Sequence, residues 1–448
     1  MTGAGRGWLN KVSRVGADMG MEATETRGRI FYGWYIVAAS FLTWATADAF
    51  GMYTFGLFIG PIAKELGWTT VMITFAQSLR SMIGGLIGPI IGPMADSRHG
   101  ARLLMSGGIL ISGGVAILVS YMSEPWHFYI IYGLVGSLGM MGFGGLVTNT
   151  ILAKWFIRMR GRAMGIAATG VSVSGMILVP LVTYLIVHYG WRRTLVVLGL
   201  IIWGVSLLPV ALIIRRSPED EGLLPDGDSS PAVGPGGAGS MVGGEYVWTL
   251  KEAVRTPALW LVLAAFTVIS IPMSGAMIHF FPFLSARGIS SEVGAAVITT
   301  FAFACALVKI PWGIVAERIH ARYCVIASYL GCAVGLGILL LFDSLVFAFV
   351  YAIFYGIALG GIMVLRELVW ANYFGRTFLG TIRGVVNPVN VVAMAGGPLG
   401  AAWLRDLTGS YQIPFFVFLV CYLLGAFFMY LGRQPRPPEA ARPAEPEA

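Results

Sequence analysis

Charged residues are scarce in this 448-residue chain, at 12% of the composition against about 25% in an ordinary soluble domain. Hydrophobic residues make up 57%. A soluble fold of this length cannot bury so much apolar surface, so we expect lipid to cover much of it. The composition therefore excludes an ordinary soluble globular protein.

Cysteine is also rare, and the motifs of common enzymes are missing. The four cysteines lie in apolar runs without a CxxC or CxxH neighbour, so we expect neither a disulfide framework nor a metal site. No HExxH, GxSxG or P-loop pattern occurs, so we expect no enzymatic activity and no cofactor. The first 30 residues lack an apolar stretch followed by a small-residue cleavage site, so no signal peptide is expected.

Long apolar runs fill most of the chain. A membrane span needs about 20 apolar residues. Twelve runs meet this requirement, which predicts an all-α membrane protein. The predicted spans 1 to 12 are Trp34–Phe58, Thr70–Met94, Leu103–Tyr121, Phe128–Ala153, Ala163–Val187, Leu195–Ile214, Leu259–Leu284, Val293–Val315, Tyr323–Phe342, Leu345–Tyr373, Val385–Trp403 and Ile413–Leu431.

The basic residues predict the orientation. With both termini inside, the tails and inner loops hold 22 of the 30 Lys and Arg residues, as positively charged inner loops require. This bias also explains the net charge of +8 without a nucleic-acid partner. We expect a multi-pass protein of the cell membrane, a bacterial inner membrane, with both termini cytoplasmic.

The predicted spans fall into two groups of six. A segment rich in Gly, Pro and Ser separates them and predicts a flexible linker. The resulting boundaries are an N-terminal tail at 1–30, a first half at 31–214, a cytoplasmic linker at 215–256, a second half at 257–432 and a disordered tail at 433–448.

The two halves resemble each other at a nearly constant offset. GPMAD at 92–96 matches GIVAE at 313–317, 221 positions later, and Gly67 matches Gly288 at the same offset. Pro180 matches Pro398 at 218. A duplicated six-helix unit in a membrane is typical of secondary transporters, whose halves rock around a site near the midplane.

The loop GPMADSRHGARLL resembles the signature of the major facilitator superfamily, with GIVAERIHARYC as its second copy. In that family the loop latches helices on the cytoplasmic side, although simple helix capping is an alternative. The resemblance implies the following gating residues: Asp96, Arg102, Glu317, Arg318 and Arg322.

Further segments resemble the monocarboxylate porter and oxalate/formate antiporter group. They are FYGWYIVAASFL, AKWFIRMRGRAMGIA, HFFPFLSARGIS, NYFGRTFLGTIRG and GGPLGAAWLRDLTGSY. In this group a helix 8 Arg engages the substrate carboxylate, and Lys309 stands near that position. Animal members often carry an Asp one turn earlier, where this chain has Cys305.

Ionisable residues inside the predicted spans are candidate functional residues, because each costs about 2.5–3.5 kcal/mol to insert. The predicted spans contain three cations, Arg80, Lys309 and Arg366, and two carboxylates, Asp48 and Glu367. An excess cation in an apolar cavity suits an anionic substrate. The alternative for Lys309 is that its ammonium extends to the membrane surface. The candidate substrate-binding residues are Lys309, Arg366, Arg80, Tyr53, Asn149, Asn387 and Asn390.

Three residues are candidates for proton coupling: Asp48, His279 and Glu367. A His titrates near neutrality, and a buried carboxylate needs a partner or a proton. Structural hydrogen bonding is the alternative for His279, as it is for the three Asn residues. We expect either Arg366 or Glu367 to pair with Arg80 or Asp48, and for Glu367 a purely structural ion pair is the favoured alternative to a role in proton coupling.

The leading hypothesis is a secondary transporter of a small organic anion, a monocarboxylate, by alternating access with proton symport. Organic-anion exchange of the oxalate/formate type is the alternative, and drug or metabolite efflux is a third. The expected partners are the anion, protons and the lipid bilayer, and the protein is expected to function as a monomer.

Overall fold

The computed structural model describes residues 30–46, 49–51, 54–228, 241–242, 245–289, 291–341 and 344–436. Its contacts group the chain into residues 1–32 and 33–448. Only Ile30–Tyr32 are described in the first group. All other described residues belong to the second group.

Helices form nearly all of the first half. The helices there are Tyr32–Thr46, Phe55–Leu66, Thr70–Leu86, Gly88–Asp96, Gly100–Val119, Pro125–Phe128, Gly136–Phe143, Gly145–Trp155, Arg160–Ile202 and Leu208–Ile213, with π-helical turns at Tyr129–Val135 and Trp203–Leu207.

The linker and the second half continue in the same way. The linker holds two 3₁₀ turns, Pro218–Glu221 and Pro225–Gly227, and the antiparallel strands Met241–Val242 and Glu245–Tyr246. The helices that follow are Leu250–Arg255, Pro257–Ala286, Ser291–Leu307, Lys309–Arg318, Ala321–Leu341, Leu345–Phe374, Leu379–Thr408 and Gln412–Leu431.

Within the described residues, nine helical stretches are long and apolar enough to cross a membrane, or ten when one bent pair counts as one span. One stretch, Arg160–Ile213, holds predicted spans 5 and 6, which meet at Gly190 (φ 79°, ψ 161°). The bent pair forms span 2, and two shorter helices correspond to span 1. The all-α membrane fold is confirmed, and the described helices accommodate the twelve predicted spans.

Large apolar side chains are exposed along the outside of these helices. Examples are Leu103 at 69% exposure, Val187 at 74% and Leu341 at 77%. Side chains of this size face water rarely in a soluble protein but face lipid in a membrane span. The four cysteines are free thiols, two of them buried.

The backbone repeats the duplication found in the sequence. Gly67 and Gly288 follow helices of the two halves with positive φ angles of 69° and 77°. Spans 2 and 8 are each interrupted at one residue, Ile87 (φ −76°, ψ −10°) and Val308 (φ −91°, ψ −6°). These two positions are also 221 residues apart.

The halves approach each other closely along two helix pairs. Span 2 contacts span 11, and span 5 contacts span 8. A Cβ atom added to Gly92 would lie 2.2 Å from the carbonyl oxygen of Gly380, and one added to Gly313 would lie 2.2 Å from that of Gly161. Only glycine permits backbones to pack this closely. We call the side of these contacts the inner side, because the basic residues predict it to be cytoplasmic.

The linker has more structure than its composition suggests. The sequence predicts flexibility over 215–256, but residues 217–228 form two 3₁₀ turns with defined contacts. The helix Leu250–Arg255 begins with a capping box between Thr249 and Glu252. The hydrogen bond from the Thr249 backbone lowers the pKa of Glu252. Residues 229–240 and 243–244 lie outside the described part.

Candidate functional site

Lys309 lies between the two halves. It is the first residue after the interruption of span 8 and is 3% exposed. Its Nζ donates hydrogen bonds to the Ala168 carbonyl oxygen at 3.1 Å and to Ser172 Oγ at 2.8 Å, both on span 5. Among the described residues, no carboxylate lies within salt-bridge distance of this ammonium. Lys309 is therefore a buried cation held by neutral oxygens.

Arg80 belongs to a different environment. Its Nη1 donates to the Tyr132 hydroxyl at 3.2 Å, and its guanidinium lies 5.0 Å from the centre of that ring. A small cavity beside it is lined by residues of spans 3, 4 and 6, among them Ser112, Val115 and Ile202. Arg80 thus faces the interior of the first half, and the structure does not bring it to Lys309.

Glu367 forms a buried ion pair with Arg383. Arg383 Nη2 donates to Glu367 Oε1 at 2.7 Å, and both side chains are about one-tenth exposed. Arg383 Nη1 also donates to the Gly145 carbonyl oxygen of span 4 at 3.4 Å. Asn149 of the same span interacts with Glu367. This cluster joins the second half to the first.

This pair gives Glu367 a partner other than Arg80. The sequence predicts that Arg366 or Glu367 pairs with Arg80 or Asp48, but Glu367 contacts Arg383, four residues after the start of the helix Leu379–Thr408, which contains span 11. Arg366 points away from Glu367, since neighbouring helical residues diverge by about 100°. Its guanidinium lies 5.4 Å from the centre of the Phe266 ring on span 7.

The candidate amides bond to backbone groups. Asn387 Nδ2 donates to the Gly85 carbonyl oxygen of span 2 at 3.3 Å, a contact between the halves. Asn390 Nδ2 donates to the Val386 carbonyl oxygen of its own helix at 3.2 Å. These geometries favour the structural alternative for both residues.

The remaining intramembrane candidates lie apart from Lys309 or outside the described residues. His279 Nε2 contacts the Pro398 carbonyl oxygen at 3.0 Å, and its ring lies 5.8 Å from that of Tyr411. This contact ties the outer ends of spans 7 and 11 and favours a structural role. Asp48 and Tyr53 lie outside the described residues.

Asp96 connects the halves on the inner side. Its carboxylate accepts a hydrogen bond from Lys154 Nζ at 3.0 Å, and from the Gly380 and Thr381 backbone N–H groups at 3.3 and 2.8 Å. The Thr381 hydroxyl adds a fourth bond at 2.9 Å. Gly380 and Thr381 lie in the first turn of the helix Leu379–Thr408, whose N-terminus favours a negative charge. The acidic residue of the loop thus joins the first half to the second on the inner side.

Glu317 makes the corresponding contact from the second half. It accepts hydrogen bonds from the backbone N–H and Nε of Arg162 in span 5, both at 2.7 Å. The three basic gating candidates make no such contact between halves in the described part. Arg102 and Arg318 are exposed, and Arg322 Nη2 donates to the neighbouring Tyr323 hydroxyl at 2.8 Å.

Two arginines that the sequence analysis did not select also join the halves. Arg160 Nη1 donates to Asn372 Oδ1 of span 10 at 2.9 Å. Arg376 Nη1 donates to the Lys154 carbonyl oxygen at 2.8 Å, and its Nη2 pairs with Glu219 of the linker at 2.7 Å. Their only sequence signal is their place in the basic inner loops.

The linker closes over the same region through Asp226. Its carboxylate accepts hydrogen bonds from three consecutive backbone N–H groups: Ile157 at 3.0 Å, Arg158 at 2.8 Å and Met159 at 3.1 Å. These groups lie in the loop just before the helix that begins at Arg160, so the carboxylate fixes the conformation of this loop. The linker therefore reinforces the loop that carries the inner contacts.

The outer side of the first half has its own ion pair. Glu65 accepts from Arg192 Nε at 2.7 Å and from Trp191 Nε1 at 2.6 Å. The hydrogen bond from Arg192 lowers the pKa of Glu65. Arg192 also donates to the Ser120 carbonyl oxygen at 2.6 Å. These contacts stay within one half and do not bridge the two.

Together, the contacts describe two six-helix halves that meet on the inner side, with a buried cation between them. Fold, duplication and latch define a polytopic transporter of the two-half class. The sequence profile of the Major Facilitator Superfamily matches residues 40–297 and 273–448. The chain belongs to this superfamily.

Relatives and solved structures agree with this assignment. Monocarboxylate transporter 2 of Rattus norvegicus is 25% identical over 395 residues, covering 85% of this chain and 79% of the relative. Monocarboxylate transporter 1 of Homo sapiens is 25% identical over 428 residues, covering 90% and 85%. The chain is a membrane transport protein that resembles the monocarboxylate group, as the sequence predicts.

The structural neighbours show the fold. The human organic anion transporter MFSD10 aligns with a TM-score of 0.68 at 14% identity, covering 89% of this chain and 99% of the neighbour. The E. coli fucose:proton symporter FucP aligns with a TM-score of 0.66 at 14% identity, covering 89% and 98%.

Proposed function

We propose that this chain carries a small organic anion, a monocarboxylate, across a cell membrane by alternating access together with a proton. The observation that carries the proposal is Lys309, a buried ammonium between the halves with only neutral oxygens as described partners. A buried charge without a counter-charge is costly. A substrate carboxylate bound there supplies that counter-charge.

The relatives support the same substrate class, since the two reported above are named monocarboxylate transporters. Exchange of the oxalate/formate type receives less support. It would use a second cation on span 11, but the Arg383 guanidinium is engaged by Glu367. Asn387, deeper in the same span, bonds to the span 2 backbone.

Uptake into proteoliposomes tests the proposal. Purified protein is reconstituted and offered labelled mono- and dicarboxylates with and without an inward proton gradient. We expect a monocarboxylate to accumulate and the gradient to increase its accumulation. Uptake that ignores the gradient but requires internal substrate would replace symport with exchange.

Lys309→Met is the first test variant, because Met keeps the length of the side chain and removes the charge. Loss of a charge-assisted hydrogen bond of ~1.5–3 kcal/mol should lower uptake on the order of 10- to 100-fold. Lys64→Met, at an exposed lysine in the last turn of a first-half helix, is the control and should transport normally. Equal uptake of every anion by wild type and Lys309→Met would overturn the proposal.

A further inference from the structure

A cavity of about 390 Å³ lies on the inner side, where span 7 begins and span 12 ends. One wall comes from Arg255 and the first turns of span 7, including Leu261. The other comes from Leu431 and the segment after span 12, including Arg433 and Arg436. The lining thus combines three arginines with the apolar ends of two membrane helices.

The positive charge of this cavity is not neutralised within the described part of the chain. No Asp or Glu lines it, and none of the three arginines forms an ion pair with a described residue. The first half provides a contrast. Arg215 follows span 6 as Arg433 follows span 12, 218 positions later, and Arg215 Nε pairs with Glu221 at 2.8 Å. Within the described residues, Arg433 forms no corresponding ion pair.

The walls of the cavity are held in place by hydrogen bonds. On one side, Gln434 Nε2 donates to the Asn372 carbonyl oxygen at 2.8 Å, and the Tyr373 hydroxyl donates to that of Gly432 at 2.7 Å. On the other, Trp260 Nε1 donates to the Val254 carbonyl oxygen at 2.9 Å. The segments that carry the arginines are therefore anchored to spans 7 and 10.

We propose that this cavity binds the phosphate headgroup of an anionic phospholipid. Arg guanidinium groups are well suited to phosphate oxygens, and basic pockets at helix ends on the inner side attract anionic lipids. Leu261 and Leu431 continue from the arginines into the membrane spans, where acyl chains lie. Trp260, near the start of span 7, is 56% exposed. Exposed Trp residues at the ends of membrane helices are typical of the membrane–water interface.

Lipid titration of the purified full chain in detergent tests the proposal. Phosphatidylglycerol should raise the melting temperature and remain attached in native mass spectrometry, whereas phosphatidylcholine should do neither. In the triple variant Arg255→Gln, Arg433→Gln, Arg436→Gln, the apparent affinity for phosphatidylglycerol should fall on the order of 10-fold or more. The charge-matched control replaces Arg98, Arg193 and Arg405 by Gln, none of which lines the cavity, and should bind as wild type does.

Two further arms separate other occupants. Inorganic phosphate that reproduces the thermal shift of phosphatidylglycerol would assign the site to a soluble anion and overturn the proposal. Enhanced lipid binding after removal of residues 437–448, with the same loss in the triple variant, supports the lipid site and identifies the acidic tail as its competitor.

A crosslinking experiment covers the case in which the triple variant does not fold. Wild-type protein is irradiated with a photoactivatable phosphatidylglycerol and digested. Labelled peptides should contain residues 255–261 or 431–436. Labelling elsewhere, or equal binding by the triple variant and wild type, would rule out this cavity as the lipid site.

Discussion

Lys309 and Glu367 are both buried charges near the interface between the halves, but they are compensated differently. Lys309 is held by a carbonyl and a hydroxyl oxygen, whereas Glu367 has a guanidinium partner in Arg383. A satisfied ion pair can remain closed in every state, but a cation held by neutral groups gains from the arrival of an anion. In the proposed function, Lys309 is therefore the binding group, whereas Glu367 and Arg383 form a structural pair.

The Glu367–Arg383 ion pair should contribute measurably to the free energy of unfolding. Glu367→Gln or Arg383→Gln alone leaves one buried charge unpaired and should destabilise the protein by about 3–5 kcal/mol. The double variant removes both charges and should lose less than the sum of the single losses. Unfolding in mixed micelles measures these differences. Arg405→Gln, which breaks only the exposed pair with Asp406, is the control and should cost ~1 kcal/mol or less. Strictly additive losses in the double variant would contradict the coupling.

Among the helices, spans 2 and 8 are copies of one another in the duplication, and both are interrupted at the equivalent residue. The residue after the interruption is Gly88 in the first copy and Lys309 in the second. Gly88 lets span 2 pack against the Gly384 carbonyl of span 11, where a Cβ would lie at 2.8 Å. One copy uses this position for close packing and the other for a charge. Equivalent positions of the two halves therefore differ in role: Gly88 permits close helix packing, whereas Lys309 carries a charge.

The contacts of Asp226 in the linker predict a measurable contribution to the stability of the protein. Asp226→Ala removes the acceptor of three backbone N–H groups ahead of span 5, and donors left without a partner cost about 1–3 kcal/mol. Its φ of 59° adds strain for Ala, because left-handed backbone favours Asp, Asn and Gly. The expected result is a lower melting temperature, with a smaller loss for Asp226→Asn. Asp228→Ala is the matched control, since its pair with Arg158 is exposed. If both Ala variants have the same melting temperature, the three hydrogen bonds of Asp226 contribute nothing to stability.

For the whole molecule, the proposed alternating access requires the inner contacts to break when the protein opens to that side. Asp96 with Thr381 and Glu317 with Arg162 are related by the duplication, and each joins one half to the other. The linker adds Glu219, bound to Arg376. Opening therefore exchanges a set of charge-assisted hydrogen bonds for water, and substrate binding can bias that exchange.

Close glycine packing makes a prediction about this closure. A Cβ at Gly313 would lie 2.2 Å from the Gly161 carbonyl oxygen, so Gly313→Ala should cost ~1–3 kcal/mol of overpacking in the closed form. The inner-open population should then rise roughly tenfold, since ~1.4 kcal/mol corresponds to that factor. Alkylation of Cys305 by a water-soluble maleimide, in a Cys421→Ala background, reports the change. Gly396→Ala, where a Cβ meets nothing within 4 Å, is the control. Unchanged alkylation in Gly313→Ala would show that this contact does not hold the closed form.

Much of the fold follows from the sequence, because lipid imposes a simple rule on it. Each span must be apolar over about 20 residues and must satisfy its own backbone hydrogen bonds, so hydropathy alone predicts the helices. The loop signature likewise predicted that Asp96 and Glu317 lie at the inner side. The partners of these groups were not predictable, because Lys154 and Thr381 are far from Asp96 in the chain.

The twelve predicted spans, the duplication and the charges within spans 2, 8 and 10 follow from the amino-acid sequence, since each is a local pattern or a fixed offset. The pairing of these charges depends instead on how the helices pack. It placed Arg80 against Tyr132, Glu367 against Arg383, and Lys309 against span 5. The physical reason is that the rotation of each helix sets the direction of its side chains, and packing against neighbouring helices sets that rotation.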